Sequence, residues 1–216
     1  MARLKVAVLI SGRGSNLEAL IAACAAPNFP AEIALVISNR TDAGGLTHAT
    51  KANIPTATVP HKSYPTREIF DAALTAALEK SGIDLVCLAG FMRLLTPSFV
   101  THWRDRLINI HPSLLPAFPG LDTHERALAA GVRFAGCTVH YVRAEMDSGP
   151  IIVQAAVPVL PGDNADTLAA RVLTAEHRAY PLALRLIGEG RVTVSQERAM
   201  VDGGGTAATI MLNPAD

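Results

Sequence analysis

The sequence has little charge and no excess of either sign: 18% of its 216 residues are charged, with 19 lysines and arginines against 19 aspartates and glutamates. That balance excludes an acidic disordered tail and an overall basic nucleic-acid binder, so any recognition of phosphate has to be local. Long apolar runs are also missing. The run after Arg3 and Lys5 stops at Ile10, too short for the core of a secretory signal, and no stretch approaches the roughly 18 apolar residues of a membrane span. Cysteine is scarce: Cys24, Cys87 and Cys137 are odd in number, widely spaced and set among apolar neighbours, which suits reduced thiols in a cytoplasmic protein. His48, His61, His102, His124 and His140 lack metal-ligand spacing with one another or with cysteine, so no metal is indicated. The sequence shows neither an internal repeat nor a linker between two large domains.

What is present is enough apolar residue, 50% of the chain, to bury one sizeable core. Branched apolar runs alternate with helical patterns: strand Arg3 to Ile10, helix to about Ala25; strand Glu32 to Ser38, helix Gly45 to Ala52; strand Thr56 to Val59, helix Thr66 to Lys80. A further strand, Ile83 to Ala89, a short helix near Pro97 to Trp103 and a strand Arg106 to Ile110 follow. Such alternation predicts an α/β fold, Rossmann-like, with a mostly parallel sheet and helices on both faces. The proline-rich stretch from His111 to Gly120 cannot be regular structure. Phe134 to Val142 and Ile151 to Val159 read as an antiparallel strand pair in the C-terminal half. A long helix over 165 to 188 is capped by Asp163 or Asn164 and should kink or break at Pro181. Residues 1–202 are thus expected to form a single domain, with 203–216, rich in glycine, alanine and threonine, as a flexible tail.

In an open α/β sheet, ligands gather beyond the carboxyl ends of the parallel strands. Three polar segments fall there: Gly12-Arg13-Gly14-Ser15-Asn16, Gly90-Phe91-Met92-Arg93, and Asn109-Ile110-His111. The first can present free backbone N–H groups at a helix N-terminus to an anion. It is not the dinucleotide fingerprint, because Leu17 holds the third glycine position, and a plain tight turn explains it equally well. Asn109 and His111, two apart on a strand, point to one face and could together hold an oxyanion while His111 moves a proton. Taken alone, a histidine before a proline is more often structural. Asp147 lies in a turn between strands, an ordinary place for a solvated aspartate, yet Met146 before it and Gly149-Pro150 after it suit an ordered loop that carries the carboxylate toward His111. On the long helix, Leu168, Val172, Ala175 and Ala179 mark a buried stripe flanked by Glu176 and His177, the latter read as solvated.

Together, Ile10-Ser11-Gly12-Arg13-Gly14-Ser15-Asn16-Leu17, Ala89-Gly90-Phe91-Met92-Arg93, Asn109-Ile110-His111-Pro112-Ser113-Leu114-Leu115-Pro116 and Met146-Asp147-Ser148-Gly149-Pro150 resemble the glycinamide ribonucleotide formyltransferase family of purine biosynthesis. The resemblance runs in order from about residue 4 to 195; the Asn-x-His-Pro segment is common to folate-dependent formyl transferases and hydrolases, and the glycine loop with Pro119 to His124 narrows it. It implies two small-molecule substrates, glycinamide ribonucleotide and a reduced folate, 10-formyltetrahydrofolate, the latter as co-substrate. No metal, nucleic acid or membrane is expected, the protein is expected to be a monomer or homodimer, and the resemblance implies a cis Leu115–Pro116 bond. Gly12, Arg13, Gly14, Ser15 and Asn16 would hold the ribonucleotide phosphate, with Arg13 at a position that varies in the family, and Glu176 would take the ribose hydroxyls. Arg67 would lie near the folate's glutamate tail, and Met92, Arg93, Leu94 and Leu95 would read the pterin. The loop Arg143, Ala144, Glu145, Met146 and Asp147 would close over the pterin, and Asn109, His111 and Asp147 would be catalytic. Within the superfamily, a tRNA formyltransferase should add a C-terminal barrel and a deformylase an N-terminal regulatory domain. A noncatalytic nucleotide-binding module would need the Gly12 loop but not the catalytic group.

Overall fold

A computed structural model describes residues 3–203 and Asn213. Strands β1 (Leu4–Ile10), β2 (Ala31–Ser38), β3 (Thr56–Thr58) and β4 (Leu85–Leu88) alternate with helices α1 (Ser15–Cys24), α2 (Gly45–Lys51) and α3 (Arg67–Lys80). Next come α4 (Pro97–His102), β5 (Leu107–His111), α5 (Thr123–Ala129), β6 (Phe134–Tyr141), β7 (Ile151–Pro158), α6 (Ala165–Gly188), β8 (Val192–Ser195) and β9 (Arg198–Val201). One seven-stranded sheet has the order β3-β2-β1-β4-β5-β6-β7, parallel through β5 and antiparallel at β6 and β7. The expected fold class holds, and Leu115–Pro116 is cis.

Why β1 from Val6 onward and all of β4 are apolar follows from their position. Val6, Val8 and Ile10 of β1 and Leu85 and Cys87 of β4 face α1 and α6, while Ala7, Leu9, Val86 and Leu88 face α3 and α4, so both sides are buried. Each such branched side chain contributes about 1.5–3 kcal/mol on leaving water. The three cysteines are buried and unpaired, and burial pushes the Cys24 thiol up to about 11 and the Cys137 thiol up to about 12. Helix α6 starts from a capping box in which Asn164 accepts from Thr167 N at 2.9 Å while Thr167 Oγ1 accepts from Asn164 N at 3.0 Å.

Several elements depart from the sequence reading. No break occurs at Pro181: α6 continues through it, because Tyr180, Ala183 and Leu184 are packed against the sheet on both sides of the proline. Helix α5 and the β8–β9 hairpin, which pairs Val192 with Val201, have no counterpart among the expected elements. Of the C-terminal tail, only Gly203 and Asn213 fall among the described residues. The Nδ2 of Asn213 donates to the carbonyls of Arg133 at 2.6 Å and Val159 at 2.9 Å.

Candidate active site

Two helices, α3 and α4, cover only part of one sheet face, and the site occupies what they leave. On β5 and β6 the strand period sorts the side chains: Ile108, Ile110, Cys137, Val139 and Tyr141 enter the core beneath α6. Asn109, His111, Thr138 and His140 therefore share the opposite face, with Asn109 paired to His140 and His111 to Thr138. Loops, not helices, close over them. The 112–118 loop is tied down where Leu115 N donates to Thr138 Oγ1 and Thr138 Oγ1 donates to Ser113 O, at 3.0 and 2.7 Å. The 143–149 loop is tied where His140 Nδ1 meets the carbonyl of Ser148 at 3.1 Å. The catalytic candidates thus lie on the sheet face and not only at its strand ends, because β6 runs antiparallel and returns the chain across β5.

His111 is buried, with Nε2 3.0 Å from Phe118 O and Nδ1 3.4 Å from Asp147 Oδ1. Both nitrogens thus face oxygens, Phe118 O at hydrogen-bond distance and Asp147 Oδ1 at ion-pair distance. The second Asp147 oxygen accepts from Gly120 N at 2.7 Å, so the carboxylate is aimed by the backbone of the neighbouring loop. Asp147 itself has φ +50, a backbone state that a short polar residue tolerates. The three residues read from the sequence as catalytic therefore converge, Asn109 and His111 by strand period and Asp147 by its loop.

His140 escaped the sequence reading. Its Nδ1 lies 3.0 Å from Tyr141 O and 3.1 Å from Ser148 O, so that nitrogen carries the proton and Nε2 is left as an acceptor. Nε2 is 3.4 Å from Asn109 Nδ2. Burial holds the His140 pKa below the usual histidine range, against the opposing pull of the Tyr141 carbonyl and of Asp147. A neutral His140 can thus take one amide hydrogen of Asn109 and leave the other directed at a ligand. The available signal was the alternation of Thr138 and His140 with apolar Cys137, Val139 and Tyr141.

The glycine turn follows β1. Gly14, with φ +81, is the N-cap of α1 and offers no side chain to its N–H groups. A Cβ there would stand 2.6 Å from Gly45 Cα, so glycine is required by the approach of α2 as well as by φ. Gly12 and Arg13 are exposed, and Ser15 and Asn16 half-buried. Asn16 Nδ2 donates to Glu176 Oε2 at 2.6 Å. Glu176 does not flank the buried stripe of α6; it belongs to it, in the row Leu168, Val172, Glu176, Tyr180, Leu184 at four-residue spacing, while Ala175 is only half-buried. His177 is half-buried, and its Nε2 is enclosed with no hydrogen-bond partner among the described residues.

Burial raises the Glu176 carboxyl above the ordinary range, and the bond from Asn16 offsets this only in part. The folded chain then holds this proton more tightly than the unfolded one, so the stability present below the ordinary glutamate pKa of about 4.3 is lost as pH rises through the raised value. Glu176→Gln never ionises and escapes that loss. Its melting temperature should exceed that of the parent at neutral pH, with the gap closing toward pH 4; thermal melts across pH check this, and a parent as stable as the variant at pH 7 would remove the argument.

The 90–96 segment is pinned at both ends, Met92 N donating to Ser11 Oγ at 2.8 Å and Thr96 N to Asp71 Oδ2 at 2.7 Å. Between these points the backbone N–H groups of Arg93, Leu94 and Leu95 make no hydrogen bond among the described residues, and the side chains of Met92 and Leu94 are exposed. Arg67, exposed at the start of α3, stands one turn before Asp71 and so beside this segment. Ala144, Glu145 and Met146 form the exposed tip of the Asp147 loop. Arg143 differs from the expectation for that loop: its guanidinium is buried and turned to Asp105 and Glu197, so only its backbone is free to line a pocket.

Comparison with known proteins bears on this arrangement. A family described as formyl transferase matches residues 4–184. Phosphoribosylglycinamide formyltransferase of Escherichia coli is 46% identical over 200 residues, 93% of this chain and 94% of that protein. The trifunctional purine biosynthetic protein adenosine-3 of Drosophila pseudoobscura is 55% identical over 190 residues, and there the match spans 87% of this chain but only 14% of the relative's length. Glycinamide ribonucleotide transformylase 1 of Symbiobacterium toebii has a crystal structure that superposes with a TM-score of 0.90 at 49% identity, covering 92% of this chain and 94% of that one.

Proposed function

The chain belongs to the formyl transferase family, and from that premise we propose that it transfers the formyl group of 10-formyltetrahydrofolate to the amine of N1-(5-phospho-D-ribosyl)glycinamide in purine biosynthesis. The observation that carries the reading is the meeting of His111 Nδ1 and Asp147 Oδ1 at 3.4 Å beside Asn109 on one sheet face. The neutral amine attacks the formyl carbon, a carbon–nitrogen bond forms, and the former carbonyl oxygen becomes an oxyanion. Asn109 Nδ2 donates to that oxygen and the His111 imidazolium faces it, with Asp147 opposing the imidazolium's charge. Collapse breaks the bond to N10 of the folate; the amine loses a proton and N10 gains one, leaving tetrahydrofolate and the N-formyl product.

The N–H groups that Gly14 leaves free at the start of α1 suit the ribonucleotide phosphate, with Gly12, Arg13, Ser15 and Asn16 around it. Glu176, already accepting from Asn16, suits the ribose hydroxyls. The unpaired backbone of Arg93 to Leu95, the apolar Met92 and Met146 and the tip residues Ala144 and Glu145 suit the pterin, and Arg67 the acidic tail. Purified protein given both substrates should form tetrahydrofolate only when the ribonucleotide amine is present. Folate release at the same rate without the amine would make the chain a hydrolase instead, and no release with either would overturn the reading.

A further inference from the structure

The loop that delivers Asp147 to His111 is held at its neck by a cluster outside the site. Arg143, at the start of the loop and only 8% exposed, donates from Nε to Glu197 Oε2 at 2.5 Å, from Nη2 to Asp105 Oδ1 at 2.7 Å and from Nη1 to Val142 O at 3.1 Å. Its stem lies against the other end of the loop, since a Cβ on Gly149 would come within 2.9 Å of Arg143 Cγ and 2.2 Å of Tyr141 O. Tyr141 N donates to Pro150 O at 2.9 Å just below. Neck residues 143 and 149 are therefore packed together, while the tip is exposed.

Glu197 comes from the tip of the β8–β9 hairpin. Gln196 and Glu197 both have positive φ, +49 and +57, the conformation of a two-residue turn whose twist matches its strands. This turn fixes the direction of the Glu197 side chain, which also accepts from Arg104. The bond from Arg143 holds the Glu197 carboxyl below the ordinary range, as expected for a carboxylate that stays ionised against a guanidinium. Without Glu197, a buried guanidinium would keep Asp105 as its one carboxylate partner among the described residues and would have reason to turn toward water.

We propose that Glu197, acting through Arg143, is a positioning residue for Asp147, so that the β8–β9 hairpin governs the transfer step without touching either substrate. The inference rests on the formyl-transfer reading and extends it to a hairpin outside the catalytic group. Its physical basis is the short lever between neck and carboxylate: a displacement of about 1 Å at a catalytic group can cost up to about a hundredfold in rate.

The test is a double-mutant cycle. Glu197→Ala should lower kcat about tenfold, with KM for both substrates within about twofold, an effect inside the range expected for small misplacement. Glu197→Gln, which keeps an acceptor, should recover part of it. Combined with Asp147→Asn, the Glu197→Ala change should cost almost nothing more, because a residue that works through Asp147 has no further route once that charge is gone. Amide exchange over residues 144–148 should speed up in Glu197→Ala, while α6 and β1 keep their protection. A kcat equal to the parent's, a loss fully additive with Asp147→Asn, or unchanged exchange at 144–148 would each overturn the inference. If the parent itself transfers no formyl group, the functional reading falls instead, and the exchange comparison still decides whether Glu197 holds the neck.

Discussion

Asn109→Ala is expected to lower kcat by about 10²–10³-fold, the usual cost of removing one donor from an oxyanion site. The amide is aimed by a partner that cannot itself supply charge. His140 is buried, protonated on Nδ1 by its carbonyl neighbours and 3.4 Å from Asn109 Nδ2, so it accepts one hydrogen and leaves the second for the reaction. Alanine removes the donor and leaves His140 Nε2 with no hydrogen bond from residue 109, which should reduce stability by about 1–3 kcal/mol. The two effects separate cleanly in single-turnover kinetics with both substrates saturating. Folate binding should stay near parental strength, because the interaction strengthens only as the oxyanion forms. A fall in kcat below about fivefold would take Asn109 out of the oxyanion role, since such a change is under 1 kcal/mol.

Gly14→Val should be the most damaging change in the glycine turn, and Gly12→Val its control. At Gly14 the backbone has φ +81, and any Cβ would lie 2.6 Å from Gly45 Cα, a backbone atom that cannot swing aside. A branched residue in that state carries strain of about 1–3 kcal/mol, and the overlap adds about the same. For a chain of this size, each kcal/mol moves the melting temperature by about 2–4 °C, so a fall of roughly 5–20 °C is expected. At Gly12 a Cβ would meet nothing within 4 Å. Gly12→Val should therefore melt near the parent while weakening the ribonucleotide, if the turn cradles its phosphate, and should leave the folate untouched. Melts and separate titrations of the two ligands decide between these roles. Equal loss of both ligands in folded Gly12→Val would mark the turn as a structural joint only.

The parallel half of the fold was legible because β1 from Val6 onward and β4 are buried on both faces and read as apolar runs, each followed two residues later by a glycine, Gly12 or Gly90. The β8–β9 hairpin was not, since its four-residue strands alternate half-buried and exposed positions and its turn carries Gln196 and Glu197 in place of glycine or asparagine. Helix α5 was hidden for a similar reason: Asp122, its N-cap, adopts φ +54 and makes no side-chain cap bond, so no capping pattern announces it. In the site, strand period was enough to put Asn109 and His111 on one face. Glu176 was misplaced because a carboxylate was assumed to avoid the buried row that Leu168, Val172 and Tyr180 define. The bond between Arg143 and Glu197 joins residues 54 apart in the chain and leaves no local pattern in either segment.

The two halves of the site differ in how far apart their residues lie along the chain. Asn109, His111, His140 and Asp147 belong to one continuous stretch that begins with β5 and ends before β7, whereas Asn16 and Glu176 are separated by 160 residues. Closing the longer loop carries the larger entropy cost, by about 1 kcal/mol on a logarithmic scale. On a ribosome, the stretch from β5 to β7 can emerge and pair while α6 is still being made. The corner that joins α1 to α6 has to wait for the far end of the chain. Folding is therefore expected to bring Asn109, His111, His140 and Asp147 together from local segments and to join Asn16 to Glu176 only once α6 has been made.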